Sequence, residues 1–382
     1  MHIESKLPHV GETIFSVMSA AAQRYGAVNL SQGFPNYDPP ERLMALVNEH
    51  IRRGANQYAP MPGHPLLRRR IADKMQALYG LSLDPDAEIT ITAGATQALF
   101  CAIAALVRPG DEVILLEPCY DSYRPSVETV GGVAVPYALR APDFRPDWEE
   151  IGALVTSRTR LIVVNTPHNP TGVLLEDADM RALERLLADT NIALLSDEVY
   201  EHLIFDGATH RPALCYPGLR DRAFCIYSFG KTYHNTGWKT GYCIAPPTLS
   251  AEFRKVHQFN VFCANHPMQA ALADFLEDAE AYLSLPDFYE AKRDLFADLM
   301  RASPLSSLPC RGSYFQLYSY AHLSDESDRD FCMRLTCDYG VAAIPMSAFY
   351  SDGRDERLIR FCFAKTADTL QEAGARLSKL TA

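Results

Sequence analysis

Long hydrophobic runs are missing from this chain. No stretch approaches the roughly 20 apolar residues that cross a bilayer. The opening Met-His-Ile-Glu-Ser-Lys-Leu-Pro lacks the apolar core of a secretory signal. Together these absences lead us to expect a soluble, cytoplasmic protein with no membrane partner. Positive charge is also scarce: 36 Lys and Arg stand against 47 Asp and Glu, a net charge of −11, and no basic stripe emerges. A nucleic-acid role is therefore not expected. Arg68-Arg69-Arg70 is the single basic run, and at helical spacing it reads as a solvated face. Cys-x-x-Cys pairs are absent, and the ten cysteines, Cys101, Cys225, Cys243 and Cys362 among them, are scattered through apolar runs. They read as reduced packing residues, with no disulfide and no metal site expected. Repeats and low-complexity tracts are missing too, and 382 residues suffice for a large core in two domains.

What the chain does have is a series of short, nearly continuous apolar runs: Ile89–Thr92, Val113–Leu116, Leu161–Val164, Ile192–Leu195 and Ala223–Ile226. Turn residues bound each run and helix-like segments separate most of them. This is the pattern of an α/β fold whose mostly parallel sheet is buried on both faces. Ligands of such sheets gather outside the carboxyl ends of the strands. The residues found there are Gly94-Ala95-Thr96 at a helix start, Tyr120, Asn165 to Gly172 with Asn169 in its turn, and Asp197 with Tyr200 three residues on.

The last run opens into Ser228-Phe229-Gly230-Lys231-Thr232, a Gly-broken loop with one lysine between hydroxyls and a second cation at Lys239. Desolvation and a neighbouring cation both disfavour an ammonium ion, which makes Lys231 a candidate amine nucleophile. A helix start of small residues suits a phosphate. The set matches pyridoxal 5'-phosphate, which needs a lysine for its imine, a carboxylate at the ring nitrogen, donors for the ring oxygen, a stacking partner and a phosphate site. Each residue also has a plainer reading. Lys231 could be a solvated loop lysine, Asp197 a helix N-cap, Asn169 part of a simple turn, Tyr120 a packed aromatic and Gly94 a tight connection.

Through Asn165-x-Pro-x-Asn169-Pro-Thr-Gly172, Ser196-Asp197-Glu198-Val199-Tyr200 and Ser228-Phe229-Gly230-Lys231, the chain resembles the class I/II aminotransferases, the fold-type I family of pyridoxal-phosphate enzymes. The likeness runs from Ser31-Gln32-Gly33 to Leu358-Ile359-Arg360. It is most similar to the bacterial methionine aminotransferases and their kynurenine/glutamine aminotransferase relatives, through Gln57-Tyr58-Ala59-Pro60-Met61 and Asp121 to Pro125. The resemblance implies that Lys231 forms the imine, Asp197 pairs with the ring nitrogen, Asn169 and Tyr200 bond the ring oxygen, and Tyr120 stacks on the ring. It implies a phosphate site of Ala95, Thr96, Ser228 and Lys239, joined by Tyr58 of a neighbouring subunit. Arg360 would grip the substrate carboxylate with Gly33 and Asn169 nearby. Many family members carry arginine where this chain has Lys239, so the charge is kept and the bidentate geometry is lost.

The implied architecture is a large cofactor-binding domain over residues 41–285 and a smaller α+β domain over 1–40 and 286–382, in a homodimer with shared active sites. The implied reaction is ping-pong transfer of an amino group from an amino acid to a 2-oxo acid. Phe15, Phe34, Tyr37, Tyr120 and Phe349 would line a pocket favouring methionine or aromatic donors. Expulsion of a β-leaving group, as in a cysteine-conjugate carbon–sulfur β-lyase, is the alternative, and a requirement for added 2-oxo acid separates the two. Two lookalikes fail. Gly230-Lys231-Thr232 ends like a nucleotide-binding loop but has Cys225 where that motif needs glycine. Ser228-x-x-Lys231 with Lys239-Thr240-Gly241 copies penicillin-recognising hydrolases, yet the two elements are nearly adjacent instead of far apart.

Overall fold

A computed structural model describes residues 3–381. Seven strands form the larger sheet: β1 (Ile89–Thr92), β2 (Glu112–Glu117), β3 (Val133–Ala138), β4 (Thr159–Asn165), β5 (Ala193–Asp197), β6 (Ala223–Ser228) and β7 (Gly241–Ile244). Their order is β1-β7-β6-β5-β4-β2-β3. Every pairing among β2 to β6 is parallel, and β7 lies antiparallel between β1 and β6. The five apolar runs are all strands of this mixed, mostly parallel sheet. Alternate residues serve opposite faces: Ile114, Ile162 and Leu194 enter one core, whereas Val113, Leu115, Leu161, Val163 and Leu195 enter the other. Burying each such side chain contributes about 1.5–3 kcal/mol, which is why these runs carry almost no polar residue.

The register brings the site to one edge. Asn165 of β4 pairs with Asp197 of β5, and Asp197 pairs with Ile226, two residues before the end of β6. Ser228 pairs with Gly241, which also faces Thr92 of β1.

A second, antiparallel sheet has the order β10-β11-β9-β8, from β8 (Ser306–Ser307), β9 (Phe315–Ser319), β10 (Ile344–Pro345) and β11 (Leu358–Cys362). The N-terminal helix covers Ile14–Tyr25 and starts where Thr13 caps it, its side chain accepting from Ser16 N–H. Beyond it Val28–Asn29 pairs with Val341–Ala342, and the Leu30 carbonyl accepts from Cys362 N–H at 2.8 Å. The loop from Leu30 to Pro40 is thereby laid against β11. A long helix, Leu285–Met300, begins with proline in its first turn.

One surface expectation is corrected. Arg68 is only 6% exposed; its guanidinium donates to the Pro85 carbonyl at 2.6 Å and pairs with Asp86, while Arg69 stays exposed. A face judged by its charges can still turn inward where a carbonyl and a carboxylate await. The ten cysteines are all free, and seven are buried.

Candidate active site

Lys231 lies one residue past the first turn-forming glycine after β6, and the segment Phe229–Thr232 is a single helical turn, not the open loop read from its glycine. Its side chain borders a cavity of about 160 Å³ that is also lined by Gly94, Ala95, Thr96, Tyr120, Asn169, Asp197, Tyr200, Ser228 and Lys239. Nine residues singled out in the sequence therefore border one cavity with Lys231 or, for Gly94, shape its rim. Burial pulls the Lys231 ammonium down from 10.5 to about 8. Arg360 and Lys239 push the same way, with Cys362 and Asp197 opposing. Burial, more than the neighbouring cation Lys239, is what loosens its proton.

Asp197 is no helix cap. It sits at the end of β5, with its carboxylate accepting from Tyr123 Oη at 2.6 Å and from Val199 N–H at 3.4 Å. Burial pushes its carboxyl up from 3.8 to about 6, against the downward pull of those bonds and of Lys231. An opposite charge brought to this carboxylate would reverse that shift. Asn165 braces the edge, donating to the Asp197 carbonyl at 2.7 Å and accepting from Asn169 N–H at 2.7 Å.

Across the cavity, Gly94 has φ +80°, a conformation disfavoured for side-chain-bearing residues, and it starts the helix Ala95–Leu106. A Cβ there would come within 3.3 Å of the Lys239 side chain, so glycine lets that ammonium lie over the helix start. Ala95 and Thr96 open the first helical turn, where backbone N–H groups have no intrahelical acceptor. Thr96 Oγ1 and Tyr120 Oη are 3.4 Å apart.

Arg360 belongs to β11, is 1% exposed, and donates to Asn169 Oδ1 at 2.7 Å and to the Ser31 carbonyl at 3.3 Å. Three rings surround its guanidinium, those of Phe315 at 3.8 Å, Phe349 at 4.8 Å and Phe15 at 5.6 Å. Gly33 meets the site through its carbonyl, which accepts from Lys231 Nζ at 3.2 Å. A Cβ on Gly33 would stand 2.8 Å from the Phe315 ring.

The chain matches the family model for aminotransferase class I and II over residues 25–377. The chain is a class I and II aminotransferase. It is 52% identical over 378 residues to methionine aminotransferase of Escherichia coli strain K12, covering 99% of this chain and 98% of that one. Among solved structures, an E. coli protein whose crystal structure and reactivity identify a methionine aminotransferase function superimposes with TM-score 0.98 at 51% identity, all of both chains being covered. N-succinyldiaminopimelate aminotransferase of Mycobacterium tuberculosis superimposes with TM-score 0.95 at 39% identity, with 99% of each chain covered.

The aminotransferase depends on pyridoxal 5'-phosphate, as its family does. Its residues fit that group. One end of the cavity gathers donors and a cation (the Ala95 and Thr96 N–H groups, the Thr96 and Ser228 hydroxyls, Lys239), a set suited to a phosphate dianion. A carboxylate, Asp197, lines the same cavity together with the amine of Lys231.

Some sequence-predicted residues do not gather there. Tyr58 is 81% exposed and packs edge-on against Phe262, apart from the cavity of its own chain. Phe34 lies beside Lys365, and Tyr37 packs against His234 and Phe288. Of the five aromatics expected to form a pocket, Tyr120 lines the cavity, and Phe15 and Phe349 flank Arg360. Sequence reasoning missed Tyr123 and Asn165 as partners of Asp197, and Tyr314 as a partner of Lys231. Tyr123 carried a signal, since a buried phenol needs a partner and a strand-end aspartate was already in view.

Proposed function

We propose that this aminotransferase takes methionine and other neutral, apolar or aromatic amino acids as donors and passes their amino group to a 2-oxo acid in two half-reactions. The observation that carries this reading is the buried Arg360, facing Asn169 inside a wall of Phe15, Phe315 and Phe349. A guanidinium there grips a carboxylate, and the rings favour an apolar side chain. The 52% identity to a methionine aminotransferase supports the choice of donor.

The cofactor supplies an electron sink that acidifies the Cα–H of a bound amino acid. In this reading Asp197 keeps a proton on its ring nitrogen, and Asn169 and Tyr200 bond its ring oxygen. Tyr120 covers the ring face. Ala95, Thr96, Ser228 and Lys239 hold the phosphate. Lys231, easily deprotonated, attaches the cofactor and carries the proton from Cα. Arg360 orients the substrate carboxylate, with Gly33 and Asn169 beside it.

Borohydride treatment of the yellow holoenzyme should fix the cofactor covalently on Lys231, read by mass spectrometry of the digest. An adduct on Lys239, or none, would sink the assignment.

The reading extends to assembly: a C2 homodimer in which Tyr58 reaches the partner's phosphate site. The exposure of Tyr58, together with Phe259 and Phe262 on the same surface, supports it. Tyr58→Ala should weaken cofactor binding about ten- to a hundredfold, the worth of one hydrogen bond to a charged group. Mixing Tyr58→Ala with Lys231→Ala protomers should give activity above either parent, because each hybrid contains one intact site. Failure of the mixture, under conditions where subunits exchange, would refute shared sites. Residues 41–285 would form the cofactor-binding domain, and 1–40 with 286–382 the smaller one. The ten free cysteines suit a cytoplasmic setting.

A further inference from the structure

Tyr314 joins the reactive lysine to the N-terminal loop. Its hydroxyl lies 2.7 Å from Lys231 Nζ and 2.5 Å from the Gly33 carbonyl oxygen, and Lys231 Nζ is itself 3.2 Å from that carbonyl. The hydrogens can be assigned by counting. A carbonyl only accepts, so the single phenol hydrogen goes to Gly33, and Tyr314 must accept from Lys231. Lys231 therefore donates twice, once to Tyr314 Oη and once to Gly33 O. A neutral amino group has two hydrogens, and these two acceptors use both of them. Neither Tyr314 nor Gly33 lines the cavity, whereas Lys231 does.

We propose that Tyr314 is a positioning residue for Lys231: with the Gly33 carbonyl it fixes both hydrogens of the neutral amine, so that the lone pair faces the cavity. The inference rests on Lys231 being the reactive lysine of the reading above. Its physical content is orientation. An amine that turns freely presents its lone pair to the substrate for only part of the time, whereas one held at two points presents it continuously. The Tyr314 ring is held in turn, edge-on against Tyr200 at 5.1 Å and Phe315 at 4.8 Å. The groups bearing on the Lys231 charge are Asp197, Cys362, Arg360 and Lys239, with the rings of Tyr200 and Tyr314 beneath its nitrogen. Tyr314→Phe alters none of these except the hydroxyl.

The test uses the chain of residues 1–382, stripped of cofactor and shown spectroscopically to take it up again. Acetic anhydride labelling of Lys231, followed by peptide mass spectrometry across pH, reads the protonation of the amine without any turnover. Wild type should show a midpoint near 8. In Tyr314→Phe the ammonium loses an acceptor, so the midpoint should fall by about half a unit or more. Tyr314→Gln, which returns an acceptor oxygen without the ring, should recover part of that fall. Tyr289→Phe removes a neighbouring phenol that bonds Tyr37 and His234 instead of Lys231, and should leave the midpoint in place. With cofactor restored, Tyr314→Phe should lower kcat about tenfold at unchanged amino-acid KM. It should also raise the isotope effect seen with a Cα-deuterated donor. An unmoved midpoint in both Tyr314 variants would overturn the proposal, as would a change in KM alone. If borohydride fails to fix the cofactor on Lys231 of the wild type, the reading beneath it is wrong. If it succeeds and the Tyr314 variants behave as wild type, only the positioning role falls.

Discussion

Asp197→Ala should cost turnover about a hundred- to a thousandfold while the protein still takes up cofactor. A preorganised charge at a reacting centre is worth about 2.7–4 kcal/mol in a water-poor site, and Asp197 is a buried carboxylate at a strand end. Removing it also leaves Tyr123 Oη without its 2.6 Å acceptor, at a cost to stability of about 1–3 kcal/mol. That loss is partly offset, because burial already works against the Asp197 charge, as its raised pKa shows. Asp197→Asn separates the two effects. The amide oxygen can still accept from Tyr123, so thermal stability should stay near wild type while turnover falls as far as in the alanine variant. Stopped-flow absorbance of the first half-reaction, beside a melting curve for each variant, makes the comparison. Near-normal rates in Asp197→Asn would mean that the ring nitrogen finds its proton elsewhere.

Arg360→Ala should lose the about 1.5–3 kcal/mol of a charge-assisted hydrogen bond or more, roughly ten- to several-hundredfold in kcat/KM. The loss should be the same for methionine, phenylalanine and glutamine, since all present one carboxylate. It should recur with every 2-oxo acid acceptor. Arg360→Lys should recover only a part, because an ammonium lacks the planar fork and cannot stack between Phe315 and Phe349 as the guanidinium does. Cofactor affinity should barely move. Steady-state kinetics across the three donors decide it: a defect confined to one donor would mean that Arg360 reads the side chain, and the carboxylate clamp would lie elsewhere.

How much of this could be read from the amino-acid sequence follows from the kind of interaction involved. The five apolar runs of the larger sheet were plain because a strand buried on both faces has no room for polar residues. Val133–Ala138 escaped notice as an edge strand with exposed and half-buried positions and a proline at 136. Gly241–Ile244 was hidden by its opening glycine and by the motif just before it. At the site, residues that end strands were legible because the parallel topology sends all such ends to one side. The partners of those residues were not. Tyr123 meets Asp197 across 74 positions and Tyr314 meets Lys231 across 83. Such distant pairings leave no periodic trace in a single sequence. Arg68 shows the reverse failure, a charged run taken at face value although one member turns inward to Pro85 and Asp86.

The two sheets divide the chemistry between them. Asp197, Ser228 and the turn bearing Lys231 extend from the seven-stranded sheet, whereas Arg360, Phe315 and Tyr314 come from or adjoin the four-stranded one, and Phe15 and Gly33 from the N-terminal segment. In the proposed reading, substitutions at Phe15 or Phe349, which flank Arg360, would change which amino acid is welcomed and would leave the residues at the strand ends in place. On that reading a designer seeking a new donor would begin at those two rings and leave the strand ends alone.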